Sequence, residues 1–224
     1  MIKAVIFDVG GVLAYDVWEH LFLDREAGVA SILNLDVGQV QRAGQDLWEK
    51  FAYRSTTEEN GWKELENEYW ALFISRFKLS MSADDLIRLT EQFVQPVEGM
   101  IQLLECLRSE GIEMAICSNN TEFWFKRQMN KLGLHRFFSS SRVILSTRIG
   151  VSKSSPRFEM FQAAIGALGI EKDFCIFVDD RVENIQRALQ FGLTGIVFPS
   201  HSRYGAQYLR ALLDKMGLLR ATRA

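Results

Sequence analysis

KAVIFDVGGVL, residues 3–13, is the stretch from which the rest of the chain can be read. Lys3 to Phe7 form an apolar run too short for a helix, with β-branched Val5 and Ile6 at its centre, which predicts a buried strand. The run stops at Asp8, and Gly10-Gly11 follow. A glycine pair there lets backbone approach a ligand closely. Working outward, the same pattern recurs. EMAIC (113–117) stops at Ser118-Asn119-Asn120, DFCIFV (173–178) at Asp179-Asp180, and GIVF (195–198) at Pro199-Ser200; 142–145 is a weaker candidate. Helical patterns fill the intervals at 98–110, 122–132, 157–168 and 183–191, each closed by a glycine: Gly111, Gly133, Gly169 and Gly192. A glycine ending a helix before a strand is a normal junction. Strands alternating with single helices imply an α/β, Rossmann-like parallel sheet, covered on both faces, with its ligand site beyond the carboxyl ends of the strands.

Residues 16–95 break the alternation directly after the first strand. They show helical patterns, no clear strand and many aromatics, among them Trp18, Phe22, Trp48, Phe51, Tyr69, Trp70 and Phe73. We expect a helical cap over 16–95, inserted into a core made of 1–15 and 96–224. Residues 204–217 read as a last amphipathic helix with Tyr204, Tyr208, Leu212 and Met216 on one stripe. With 26 basic and 28 acidic residues, the net charge is -2. That balance argues against nucleic acid or an anionic membrane as a partner. No stretch approaches the roughly 18 apolar residues of a membrane span. The three cysteines, Cys106, Cys117 and Cys175, form no C-x-x-C pair. An odd count without a secretion signal predicts a reducing, cytoplasmic setting. The pattern sets no oligomeric state.

Several residues at the strand ends can carry chemistry. Adjacent Asp179 and Asp180 repel each other unless a cation lies between them, and Mg2+ takes hard oxygen ligands of this kind. Ser118 and Asn119 offer a hydroxyl and backbone N–H groups at a helix start, which suit a phosphate oxygen. Lys153, in the polar loop GVSKSSP, can balance a carboxylate nucleophile and a transferring phosphate. Each has a plain structural reading as well: a turn aspartate, a solvated loop, helix caps, a surface lysine.

Taken in order, FDVGGVL (7–13), CSNN (117–120), Lys153 and FVDDRVEN (177–184) resemble the four-motif signature of haloacid dehalogenase-like hydrolases. The resemblance covers most of the chain, and the helical insertion falls between the first and second motifs, where that superfamily places one type of cap. It implies a magnesium-dependent phosphatase that hydrolyses a small phosphorylated metabolite through an aspartyl-phosphate. Asp8 is then the nucleophile and Lys153 its charge partner. Gly10, Gly11, Ser118 and Asn119 border the phosphoryl group. Asp8, the Gly10 carbonyl, Asp179 and Asp180 are the metal set, with Asp180 a direct ligand and Asp179 direct or acting through water.

Two departures stand out. Phosphatases of this family usually carry a second aspartate two residues after the nucleophile, a general acid of the kind worth ~10²–10⁴-fold in rate. Here that position is Gly10, which resembles a D-x-G-x-V subgroup and leaves Asp16 or a water as the stand-in. The third-motif lysine is usually followed by proline, whereas Lys153 is followed by Ser154-Ser155-Pro156. Gly10 also keeps open a catalytically degenerate protein that binds a phosphoryl ligand or a partner. A 2-haloacid dehalogenase on the same fold needs no metal, and the Asp179-Asp180 pair argues against it. Arg54, Trp62 and Lys63 are candidate substrate contacts, with cap packing and solvation as their plain readings.

Overall fold

The computed structural model describes residues 2–18, 28–56, 58, 60–199 and 205–219. Five strands form one parallel sheet in the order β3-β2-β1-β4-β5. They are β1 (Ala4–Phe7), β2 (Glu113–Ser118), β3 (Val143–Leu145), β4 (Cys175–Asp179) and β5 (Thr194–Val197). Each forms where an apolar run was read, and β1 is central, pairing Phe7 with Ile116 on one side and Val178 on the other. Alternation along a strand sends neighbouring side chains to opposite faces. Val5 and Phe7 accordingly join one hydrophobic cluster, and Ala4 and Ile6 the other. A short α7 (Ser146–Ile149) follows β3, and the Ala4 face is covered by α8 (Glu159–Leu168) and α9 (Val182–Phe191), through Phe161, Ala164, Ile185 and Ala188. The Phe7 face is covered by α5 (Met100–Ser109), α6 (Glu122–Leu132) and α10 (Ala206–Lys215).

Between residues 16 and 95 the described residues contain helices and no strand: α1 (Val29–Ile32), α2 (Val37–Phe51), α3 (Gly61–Phe77) and α4 (Ala83–Glu91). Local signals start two of them. Asp36 caps α2 by accepting from the Gln39 N–H, and Ser82 with Asp85 forms a reciprocal capping box on α4. The chain leaves and re-enters the sheet region side by side. The Tyr15 N–H donates to the Gln95 carbonyl and the Val97 N–H to the Leu13 carbonyl, both at 3.1 Å. Several aromatics of the inserted segment are core: Phe51, Tyr69, Trp70 and Phe73 are buried, whereas Tyr53 is exposed. Trp70 and Phe73 are fully buried, Tyr69 meets Trp70 edge-on at 5.0 Å, and Trp70 meets Trp124 of α6 at 6.0 Å. One cluster therefore runs from β1 into the insertion.

The last helix corrects the expected stripe. α10 turns Ala206, Leu209 and Leu213 inward, while Tyr208 and Met216 are each 39% exposed. Both stripes obey helical spacing. The aliphatic one wins because it packs without having to satisfy a phenol hydroxyl. Phe22, Ser200 and Tyr204 lie outside the described residues. No helix among the described residues is long and apolar enough to cross a membrane.

Candidate active site

The carboxyl ends of β1 and β4, neighbours in the sheet, bring three carboxylates together. Asp8 follows β1 directly and its N–H donates to the Val178 carbonyl at 2.9 Å. The chain then folds back on itself, with the Val9 carbonyl accepting from Leu13 and Ala14. Gly11 sits in this turn at φ +72°, and a Cβ there would stand 2.4 Å from Asp180 Oδ2. Only glycine allows that approach. At Gly10 a Cβ would meet nothing within 4 Å. One oxygen from each of Asp8, Asp179 and Asp180 lies within 4.8 Å of the others.

Lys153 is the cation built into the cluster. It is 1% exposed, its Nζ lies 3.0 Å from Asp8 Oδ2, and it also donates to Asp179 Oδ2. Its loop is anchored by the Lys153 N–H donating to Asn119 Oδ1 at 3.0 Å. Burial disfavours the ammonium charge, but Asp179 and Asp8 outweigh it and hold Lys153 above lysine's ordinary pKa. Asp179, fully buried, also accepts from Asn184 Nδ2 on both oxygens and from the Arg181 N–H. Its oxygens are thus engaged by protein donors.

Asp8 and Asp180 are not balanced in this way. Burial pushes Asp8 up to about 6; Lys153 opposes the shift and Asp179 adds to it. Burial, then the charges of Asp8 and Asp179, push Asp180 up to about 7. The Ser118 hydroxyl lies near enough to Asp8 to lower its pKa, but neither Ser118 Oγ nor Asp8 Oδ1, both buried, completes a hydrogen bond of good geometry. Clustered hard oxygens, uncompensated charge and an orphaned carboxylate oxygen fit a divalent cation and a phosphoryl group.

Asp8, Gly10, Asn119, Lys153 and Asp180 border one cleft, together with Asp16, whose Oδ1 accepts from the Trp18 N–H at 2.8 Å. The other sequence candidates stand apart. Arg54 pairs with Glu68 at 2.7 Å and lies over Phe51, Trp62 packs partly buried against the core cluster, and Lys63 lies over the Trp62 ring. None of the three borders the cleft. Sequence reading passed over several residues that do, among them Gln45, Asn120, Trp124, Gln128 and Arg181, and also Asn184, which holds Asp179. Trp124 and Gln128 share a face of α6 by their spacing of four, the one signal that pointed to them.

The model of a hydrolase family, the haloacid dehalogenase-like hydrolases, matches residues 2–192. Flavin mononucleotide hydrolase 1 of Arabidopsis thaliana is 31% identical over 102 residues, 46% of this chain and 40% of that protein. The chain thus matches less than half the length of that relative. Glyceraldehyde 3-phosphate phosphatase of Methanocaldococcus jannaschii is 22% identical over 204 residues, 86% of this chain and 83% of that protein. A HAD-family enzyme of Bacteroides thetaiotaomicron, crystallised with magnesium and inorganic phosphate, has the same fold, with a TM-score of 0.69 at 19% identity, covering 91% of this chain and 98% of that one.

Proposed function

The chain belongs to the haloacid dehalogenase-like hydrolase family, and from that premise we propose that it is a magnesium-dependent phosphatase of a small phosphorylated metabolite, with Asp8 as nucleophile. One observation carries the reading: a buried Asp8 carboxylate, held by Lys153 on Oδ2 and unpartnered on Oδ1, opens into a cleft that Asp180 also borders. The two relatives named above, both called after the phosphate compounds they hydrolyse, support it.

An Asp8 oxygen attacks phosphorus, the bond to the leaving oxygen breaks, and an aspartyl-phosphate forms. Water then attacks that phosphorus, releasing inorganic phosphate and restoring the carboxylate. Lys153 keeps positive charge against the nucleophile and the phosphoryl oxygens throughout. The Ser118 hydroxyl, beside Asp8, donates to a phosphoryl oxygen. Asn119 acts one step back, fixing the Lys153 loop through its side chain. Asp8, Asp180 and the Gly10 carbonyl would hold magnesium, which would shield phosphate from nucleophile. Asp179, its oxygens taken by Lys153 and Asn184, would act on such an ion through water rather than directly. Gly11 gives Asp180 room to approach. Residues 16–95 form a cap on the core of 1–15 and 96–224, and three free cysteines fit a reducing cytoplasmic setting.

The test is release of phosphate from acetyl phosphate with magnesium. Asp8→Asn should fold and lose turnover by about a thousandfold or more, since an amide cannot form the acyl phosphate. EDTA should abolish activity reversibly. Turnover that survives Asp8→Asn moves the nucleophile elsewhere, and full activity in EDTA points to metal-free chemistry such as dehalogenation. No turnover at all favours the degenerate, phosphoryl-binding reading.

A further inference from the structure

The cleft has a wall that phosphoryl transfer does not use. Asn120 and Gln128 are 5% and 3% exposed, yet both border the cleft. Asn120 Nδ2 donates to Gln128 Oε1 at 2.8 Å, and the Asn120 N–H is pinned to Ser146 Oγ at 3.2 Å. That leaves Asn120 Oδ1 as an acceptor and Gln128 Nε2 as a donor. Neither has a partner among the described residues, and neither is sealed away from the cleft. Turning both amides over exchanges which residue carries which role and still leaves one donor beside one acceptor. Amides buried this deeply do not forgo hydrogen bonds without a reason.

Aromatic rings from two helical regions border the same cleft. Trp124 lies one helical turn before Gln128 on α6 and borders the cleft. To the same cleft α2 contributes Trp48, with Gly44 one turn earlier on that helix. The Trp18 ring lies directly on Gly44, where a Cβ would stand 1.3 Å from it. Gly44 thus makes room for a second indole on the α2 side. Indoles brought to one cleft from α6 and from the α2 side suit a flat body with a face to stack on each. A puckered sugar offers hydroxyls around its whole rim and no second flat face.

We propose that the organic part of the substrate is a heteroaromatic ring whose edge carries a hydrogen-bond donor beside an acceptor, as the amide edge of a pyrimidine or an isoalloxazine does. The ring stacks among Trp18, Trp48 and Trp124, and its edge pairs with Asn120 and Gln128. The phosphoryl end of this substrate rests on the phosphatase reading above.

Steady-state kinetics with magnesium on uridine 5′-monophosphate, flavin mononucleotide, glucose 6-phosphate and acetyl phosphate test it. At least one ring ester should exceed glucose 6-phosphate in kcat/KM by about tenfold, the worth of one well-placed hydrogen bond. Gln128→Glu keeps the bond from Asn120 but turns the free donor into an acceptor. It should raise KM for the preferred ring ester about tenfold more than KM for acetyl phosphate. Trp48→Leu, on a half-buried position outside the core, should shift the same ratio in the same direction. Preference for glucose 6-phosphate, or both variants altering all substrates alike, overturns the proposal. Should acetyl phosphate resist hydrolysis altogether, the phosphatase reading fails by itself. The ring proposal is then decided by tryptophan fluorescence: quenching by uridine but not by glucose upholds it, and equal response to both overturns it.

Discussion

Gly10 and Gly11 are neighbours with opposite demands. Gly11 must stay glycine, because of its positive φ and the Asp180 carboxylate against it, whereas Gly10 has open space and no such backbone constraint. With no acid at Gly10, the leaving oxygen departs with little proton assistance. Chemical-step rates should therefore fall steeply as leaving-group pKa rises, so that phenyl phosphates outrun alkyl phosphates. Gly10→Asp should fold normally and speed the alkyl substrates selectively, toward the lower end of the ~10²–10⁴-fold range for general acids. Single-turnover rates on matched phenyl and alkyl phosphates check this. Similar rates in the unaltered protein would assign the acid to Asp16, which borders the cleft, and Asp16→Asn would then remove alkyl turnover alone.

At the scale of elements, the join between α3 and α6 holds a buried ion pair away from the carboxylate cluster. Arg127 reaches Glu66 with two donors, one at 2.8 Å, and Glu66 is only 1% exposed. Burial outweighs the Arg127 charge and leaves the Glu66 carboxyl above its ordinary pKa. Removing one partner strands the other. Arg127→Ala should cost about 3–5 kcal/mol in urea unfolding, and the double variant Glu66→Leu with Arg127→Met should cost much less. A loss in the single variant no larger than a surface pair gives would contradict the join's importance. Nothing in the sequence announces this pair, because its members are 61 positions apart and each sits on a different helical period. The strands were legible because a two-sided parallel sheet needs continuous apolar runs, and helix ends because glycine marks them. Asp8, Lys153 and Asp180 were legible through motif order. Asn184 was not, since a hydrogen bond across a helix's first turn leaves no periodicity. The α10 stripe was misread because two neighbouring stripes share one period and only packing chooses between them.

For the molecule as a whole, the carboxylate cluster links folding to protons and to metal. Asp8 and Asp180 have folded pKa values raised to about 6 and about 7 from 3.8. The folded state therefore binds more protons than the unfolded chain between those values. Their contribution to stability is present below about pH 4 and is lost as pH rises through about 6 to 7. In EDTA, the melting temperature should fall across that window. Excess magnesium, which binds the ionised cluster, should remove the fall, so that the metal's stabilising shift grows from about pH 5 to pH 8. A shift of the same size at every pH would mean that the ion binds away from these two groups. The paired crossings at Leu13–Tyr15 and Gln95–Val97 carry a consequence of another kind. To the sheet, everything from residue 16 to residue 95 is the turn of a hairpin. A turn can be lengthened, redrawn or replaced over evolutionary time without displacing the strands that bear it. In such an arrangement the reaction is inherited with the frame, while the share of selectivity carried by Trp18 and Trp48 drifts with the excursion, so descendants of one ancestor can diverge in diet and still share a single chemistry.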